Sequence, residues 1–272
     1  MISDKAITEL MIFARSTAEL AGERANRYFR RPLAIEDKDS VDYFDPVTEA
    51  DREVETFIRK AIESSFPKHG IIGEEHGDTN PASDIQWVID PIDGTRAFIS
   101  GVPTWGILMG LTQNGQCLGG LMHQPFTGET FLADSYGARL YYRGDTEPEQ
   151  AVPLSSSGVE RIEDAILYCT HPFMFPTDAQ REAFESLAGL ARLQRYGGDC
   201  YSYCMLAMGC IDLVIEGLLQ PYDIVPLIPV IERAGGVVTG LDGNLPTSGG
   251  TVIAAATPRL HAEALAIMQA SF

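Results

Sequence analysis

The stretch "EEHGDTNPASDIQWVIDPIDGTRAF", residues 74–98, decides how the chain is to be read. Its centre is an apolar run of strand character that ends in two aspartates, Asp90 and Asp93, with glycine directly after the second. Pro91 fixes its own φ and offers no N–H, so the chain bends where the strand ends and both carboxylates can turn toward one point. The carbonyl of Ile92 is a candidate to point there as well. Gly94 and Thr95 open what reads as a helix, "TRAFIS", whose amino end presents N–H groups and a positive dipole to an anion. Carboxylates attract a metal ion and amides attract a phosphate, and this stretch sets the two side by side.

Upstream, Ile7, Leu10, Met11, Ala14 and Ala18 fall at helical spacing, which predicts a helix over residues 4–30 that ends before Pro32. After the turn-like "EDKDSVDYFDP", the run "VTEADREVETFIRKAIESSF" predicts a second helix, capped by Thr48 or Asp51, with an apolar stripe of Val54, Phe57, Ile58, Ala61 and Ile62. Pro67 stops it. Downstream, "GIIGEE", "WVIDPIDG", "WGILMGLTQNGQCLGGLMHQP", "ETFLADS" and "ARLYYRG" read as strands and hairpins, with a turn at "TQNGQ". Beyond residue 155 the order becomes strand ("AILYC"), helix, short strand, a helix rich in Cys, Tyr and Met ("CYSYCMLAMG"), and strand ("IDLVIEG"). A helix over "DIVPLIPVIERAGG" follows, with Pro226 tolerated in its first turn and Pro229 kinking it, then a last strand ("VIAAA") and helix. This alternation predicts layered sheets and helices in two closely packed subdomains, an α+β part over residues 1–154 and an α/β part over 155–272.

Composition narrows the function. At 272 residues the chain is long enough for a substantial core, and its net charge of -18 repels phosphate backbones and anionic membrane surfaces. Nucleic acid and membrane are therefore not expected as partners, and an anionic substrate needs a cation as go-between. The first twenty residues mix charge into their apolar positions, unlike a secretory signal, and no run is long enough to span a bilayer, so a cytoplasmic location is expected. Five scattered cysteines fit a reducing compartment; Cys200, Cys204 and Cys210 read as buried thiols rather than a metal site. His76, His123 and His171 have no metal-type spacing.

Acidic residues recur at the ends of predicted elements: Asp51 in "VTEAD", Glu74 and Glu75 in "GEE", Asp90 and Asp93 in "DPIDGT", and Asp223 in "PYD". Each alone reads as a solvated turn or a helix cap. Together they form a set of oxygen ligands that favours a hard divalent cation, because carboxylates crowded into a poorly solvated site raise one another's pKa unless a cation compensates.

In order and approximate spacing, "DPVTEADREVE", "IIGEEHG", "WVIDPIDGTRAFISG", "QPFTGETFLADSYGA" and "YDIVPLIPVIERAGG" resemble the inositol monophosphatase family, within the larger group of Mg²⁺-dependent, lithium-sensitive phosphatases that includes fructose-1,6-bisphosphatase. The resemblance implies an α-β-α-β-α layered sandwich, a homodimer, and two or three Mg²⁺ ions per site, with Mn²⁺ as a substitute. Carried over residue by residue, it implies a first metal site of Glu74, Asp90 and the carbonyl of Ile92, and a second of Asp90, Asp93 and Asp223. Glu74 would also reach a third ion through water. It implies Asp51 and Thr95 as the pair that orients and deprotonates the attacking water, the amides of Gly94 and Thr95 as phosphate ligands, and Lys38 near the site. The implied reaction is in-line attack of metal-activated water on a phosphate monoester, with no covalent intermediate.

Two segments bear on the substrate, a small phosphorylated metabolite. Inositol-specific members have Gly-Thr-Ala where this chain has Gly197-Gly198-Asp199, and Trp-Asp where it has Tyr222-Asp223. "RYGGDCYSY" and "LQPYD" instead resemble the histidinol-phosphate phosphatases of the family. Asp93, Gly197, Gly198, Asp199 and Glu216 are thus the candidate substrate residues, the last two as partners for an ammonium or imidazole; Asp199 also reads as an N-cap of the helix that follows. Inositol 1-phosphate or other polyol phosphates are the alternative substrates. A non-catalytic phosphate- or metal-binding protein is the alternative of another class.

Overall fold

The computed structural model describes residues 1–37 and 46–270, so the expectation for Lys38 falls outside the described residues. Helix α1 spans Asp4–Ala25 and ends before the expected residue 30, with Asn26 at its C-cap and Arg30 turning the chain at φ +59°. The short pair β1 (Ile35–Asp37) and β2 (Pro46–Thr48) leads into α2 (Glu49–Ser65). There follow β3 (Gly70–Gly73), β4 (Ile85–Asp93), α3 (Thr95–Ser100), β5 (Gly106–Gln113), β6 (Gln116–Gln124), β7 (Glu129–Asp134), β8 (Gly137–Tyr142) and β9 (Val152–Pro153). These seven strands form one sheet in chain order, β3 parallel to β4 and the rest antiparallel. Asn114 and Gly115, both at positive φ, make the tight turn between β5 and β6.

The remaining elements are β10 (Ile166–Cys169), α4 (Asp178–Ala188), β11 (Leu193–Tyr196), α5 (Asp199–Ala207), β12 (Leu213–Leu219), α6 (Pro221–Ile224), α7 (Ile228–Arg233), β13 (Val237–Gly240), β14 (Gly250–Ala255) and α8 (Pro258–Gln269). Their strands form a second sheet in the order β11-β10-β12-β14-β13. Strand β13, "VVTG", was not anticipated, being short and masked by the preceding helical pattern. The single kinked helix expected after Asp223 is instead two short ones. Pro226 follows the C-cap of α6 and Pro229 sits in the first turn of α7, where its missing N–H breaks no helical bond.

The layers are read from three apolar clusters. Helices α1 and α2 pack through Met11, Ala14, Val54 and Ile58 onto one face of the first sheet, met there by Ile107, Met109 and Leu111. On the opposite face Leu108, Met122 and Phe131 meet α5 and α7 and one face of the second sheet, through Tyr203, Val230, Val214 and Ala254. The far face of the second sheet, Leu213, Ile215 and Ile253, is covered by α4 and α8. The result is an α-β-α-β-α sandwich. Successive strand residues point to opposite faces and both faces are buried, so Gly106–Leu111 of β5 and Leu213–Ile215 of β12 read as apolar runs without polar alternation.

One polar side chain in this frame has a consequence for stability. His123 on β6 is 6% exposed, its Nδ1 is 2.8 Å from Thr130 Oγ1, and burial pushes its pKa down from 6.5 to about 4. The unfolded chain takes up this proton first, so His123 leaves stability untouched above 6.5 and erodes it as pH falls from there toward 4. The erosion amounts to about 3 kcal/mol over that window. Urea titrations between pH 7 and 4 should show a shallower acid slope for His123→Gln than for the wild type; equal slopes would refute the assignment.

Candidate active site

The bend in "DPID" has a structural cause beyond Pro91. Asp90 pairs with Leu108 and Asp93 with Gly106, so three steps on β4 match two on β5 and one residue is extra. In a regular strand two side chains three positions apart point to opposite faces; the bulge reverses that parity and brings both aspartates to one side. Asp90 Oδ1 accepts the Ile92 N–H across the proline at 3.0 Å, which holds the turn. Asp223 arrives from the first turn of α6, where its Oδ2 accepts the Gln220 N–H at 2.7 Å. Asp90, Asp93 and Asp223 each bring a carboxylate oxygen to within 4.8 Å of the others.

Two unit charges at such a separation repel by about 3 kcal/mol at an effective dielectric constant of about 20. Burial first, then the neighbouring carboxylates, push the Asp90 and Asp93 pKa values well above the ordinary range. Glu74, directly after β3, stands beside Asp90, and after burial its charge is the foremost cause holding the Asp90 pKa up, a repulsion that a shared cation would relieve. The donors are oxygens throughout, because the Cys200 thiol beside Asp93 is itself held in its neutral form by burial. A hard divalent cation fits this donor set and relieves its charge.

Asp51 is placed by local sequence. Thr48-Glu-Ala-Asp51 is a capping box: Thr48 Oγ1 accepts the Ala50 N–H and Asp51 Oδ2 accepts the Thr48 N–H at 2.9 Å. Its other oxygen, Oδ1, lies 3.5 Å from the Thr95 hydroxyl, which sits 3.2 Å from the Ile92 carbonyl. Burial pushes the Asp51 pKa up to about 6, against the pull of the two Thr48 hydrogen bonds.

One turn further along α2 lies a residue that the motifs did not single out. Glu55 is fully buried; its Oε2 accepts the Glu75 N–H at 2.6 Å, and its Oε1 accepts the His76 N–H at 3.1 Å and the Arg59 Nε–H at 2.7 Å. Gly73 lets this clamp close, since a Cβ there would stand 2.5 Å from both Glu55 Oε1 and Arg59 Nη2. The helix that carries Asp51 thereby also holds the loop that carries Glu74. A buried carboxylate four residues after Asp51 was a legible signal, because i and i+4 share a helix face.

A cavity of about 790 Å³ opens beside the acidic cluster, bounded by Gly94, Thr95 and Arg96 on one side and by the second sheet on the other. Asp199 does not cap α5: it is the first helical residue, at φ +44°, and its Oδ2 accepts the Thr104 hydroxyl at 2.9 Å. The α5 amide of Cys200 is donated instead to Asp93 Oδ2 at 2.8 Å. Gly197 and Gly198 form the approach to this helix, and Gly197 also lines the cavity. Glu216 is buried on β12, with Oε1 accepting the Thr170 N–H at 2.9 Å and Oε2 the Tyr203 hydroxyl at 3.0 Å; burial pushes its pKa up to about 7. Thr104, Thr170 and Tyr203 carried no sequence signal for these roles. Cys200 and Cys204 are buried as expected, but Cys210, beyond the end of α5, is exposed. No helix among the described residues is long and apolar enough to cross a membrane.

A carboxylate cluster at a strand bulge, a capped aspartate facing a threonine, and a cavity between two sheets define a site that can be compared with known proteins. The family model for the inositol monophosphatase family matches residues 6–271. The chain is 36% identical over 244 residues to the chloroplastic bifunctional phosphatase IMPL2 of Arabidopsis thaliana, covering 89% of this chain and 67% of that one. It is 34% identical over 224 residues to a histidinol-phosphatase of Chlorobaculum parvum, covering 82% of each. A solved inositol monophosphatase from Zymomonas mobilis superposes with a TM-score of 0.84 at 31% identity, over 97% of this chain and 99% of the other. Relatives of differing substrate thus share one chemistry with this fold, and the chain belongs with them as a phosphatase of the inositol monophosphatase family.

Proposed function

We propose that the protein hydrolyses histidinol phosphate to histidinol and phosphate. The observation that carries this reading is that two further carboxyl groups, the half-buried Asp199 and the buried Glu216, line the same cavity as the Asp90, Asp93 and Asp223 cluster. A substrate with an ammonium and an imidazole finds charge-assisted partners there, whereas a neutral polyol needs no added acid. A curated relative named histidinol-phosphatase, 34% identical, supports the reading.

Glu74, Asp90, Asp93, Asp223 and the Ile92 carbonyl would hold one or more divalent cations, with Mg²⁺ the proposed ion. Bound there, such an ion supplies Lewis acidity, lowering the pKa of water and offsetting charge on phosphoryl and leaving-group oxygens. The protein's own groups do the rest. The Gly94 and Thr95 amides at the start of α3 hold phosphate oxygens. The Thr95 hydroxyl, between Asp51 Oδ1 and the Ile92 carbonyl, orients a water and passes its proton to Asp51. With its pKa raised to about 6, Asp51 is a stronger base than an ordinary aspartate yet remains ionised near neutral pH.

The second reading is inositol 1-phosphate or another polyol phosphate. On its side stands the engagement of both Glu216 oxygens by Thr170 and Tyr203, which also suits a purely structural acid. Phosphate release from histidinol phosphate and inositol 1-phosphate, each with Mg²⁺ and with chelator, separates the two; binding of either without turnover would establish a non-catalytic protein. Asp199→Asn keeps an acceptor for Thr104 and removes the charge. It is expected to lower kcat/KM for histidinol phosphate by about 30-fold, or ~2 kcal/mol, with a smaller loss on inositol phosphate. Equal losses would reduce Asp199 to a scaffold for the Thr104 loop.

A further inference from the structure

Leu218 has a backbone suited to glycine. Its φ is +59°, in the left-handed region that a bulky L-residue rarely enters, and it sits at the register break of β12 between Glu216 and Leu219. Burial does not compensate the strain, for Leu218 is 58% exposed. It lines the active-site cavity together with Phe173, which is 65% exposed, and Met174. The wall behind them is rigid: a Cβ on Gly217 would stand 2.5 Å from the Met174 carbonyl oxygen and 3.1 Å from Phe175 Cα, and the Thr170 amide is tied to Glu216. Strain of this kind persists where surrounding structure over-determines it, and such sites cluster at ligand clamps.

We propose that Leu218 and Phe173 form an apolar lip that receives a flat heteroaromatic ring on the alcohol portion of the phosphate ester. The ring's faces meet the two apolar side chains, while its N–H edge is served by Glu216, two residues before Leu218, and by Asp199. The lip selects ring-bearing esters over ring-free or polyhydroxylated ones. This inference rests on the phosphomonoesterase reading of the cavity.

The test uses Leu218→Gly and Leu218→Asn, two residue types comfortable at positive φ. Melting temperatures and kcat/KM are measured on histidinol phosphate and on glycerol phosphate, which has no ring. Both variants are expected to melt no lower than the wild type. The ratio of kcat/KM between the ring-bearing and ring-free esters should fall about tenfold, chiefly through KM. A ratio unchanged within about twofold, with the wild type active on both esters, overturns the lip and leaves the phosphatase reading intact. Melting lower by several degrees in both variants shows that Leu218 is kept for packing and also overturns it. A wild type that turns over neither ester removes the phosphomonoesterase reading and the lip with it.

Discussion

Asp93→Asn is expected to remove phosphate release while making the metal-free protein more stable. The loss of activity follows from the carboxylate cluster: cation-assisted charge stabilisation is worth several kcal/mol, which is about a thousandfold in rate. The gain in stability follows from the same geometry. Besides burial, Asp223 and Asp199 raise the pKa of Asp93, and Asp93 in turn raises that of Asp90. Asparagine removes a charge from that group and keeps an oxygen to accept the Cys200 N–H. Because the folded-state pKa values of Asp90 and Asp93 lie above the ordinary 3.8, the folded state binds more protons than the unfolded one between those limits. Metal-free stability therefore falls as pH rises through that window, and the substitution should flatten the fall. Calorimetry with chelator and then with excess Mg²⁺ reads both effects. The wild type should melt higher on adding Mg²⁺ and the variant should respond far less. An undiminished Mg²⁺ response, or activity within about tenfold of wild type, would sink the ligand assignment.

Glu55→Ala should produce the largest loss of stability. The Arg59 guanidinium is 9% exposed and pairs with a fully buried carboxylate, so truncation strands a charge in the interior and leaves the Glu75 and His76 amides without their acceptor. Breaking a buried ion pair from one side costs about 3–5 kcal/mol, which corresponds to a melting temperature lower by roughly 10 °C in a domain of this size. The pair itself need not be stabilising, since two well-packed apolar residues often replace such a pair without loss. Glu55→Met with Arg59→Met should accordingly recover the part of the loss that comes from the stranded guanidinium, though not the part from the Glu75 and His76 amides. Activity should not return with it, because the loop bearing Glu74 has lost its tether to the helix bearing Asp51. A single variant within about 1 kcal/mol of wild type would show that solvent reaches the pair after all.

What could be read from the sequence was local chemistry. The helix start at Thr48 or Asp51, the proline turn between Asp90 and Asp93, and the Asn114-Gly115 hairpin each depend on neighbours in the chain, and each is present in the fold, the first as a capping box that uses both residues. The layered architecture was legible from the alternation of helix and strand patterns along the chain, which demands sheets covered by helices. What escaped depends on partners far away in the chain. Thr104 as the acceptor's partner for Asp199, and Tyr203 for Glu216, are set by packing between the sheets and leave no trace in spacing. The break after α6 was misplaced because proline rules say where a helix is weak but not which turn gives way. Helix starts favour aspartate, so Asp199 reads as a cap as well as a substrate residue, whereas in the fold the α5 amide finds its carboxylate in Asp93.

The hydrogen bond from the Cys200 amide to Asp93 spans 107 residues of chain. Ribosomes add about 5–20 residues per second, so some ten seconds separate the emergence of its two ends. For that interval the first half of the protein carries Asp90 and Asp93 without the helix that orients one of them, and Asp223 follows later still. A nascent chain therefore has no finished site with which to attack cellular phosphate esters, and premature termination yields an inert fragment rather than a promiscuous hydrolase.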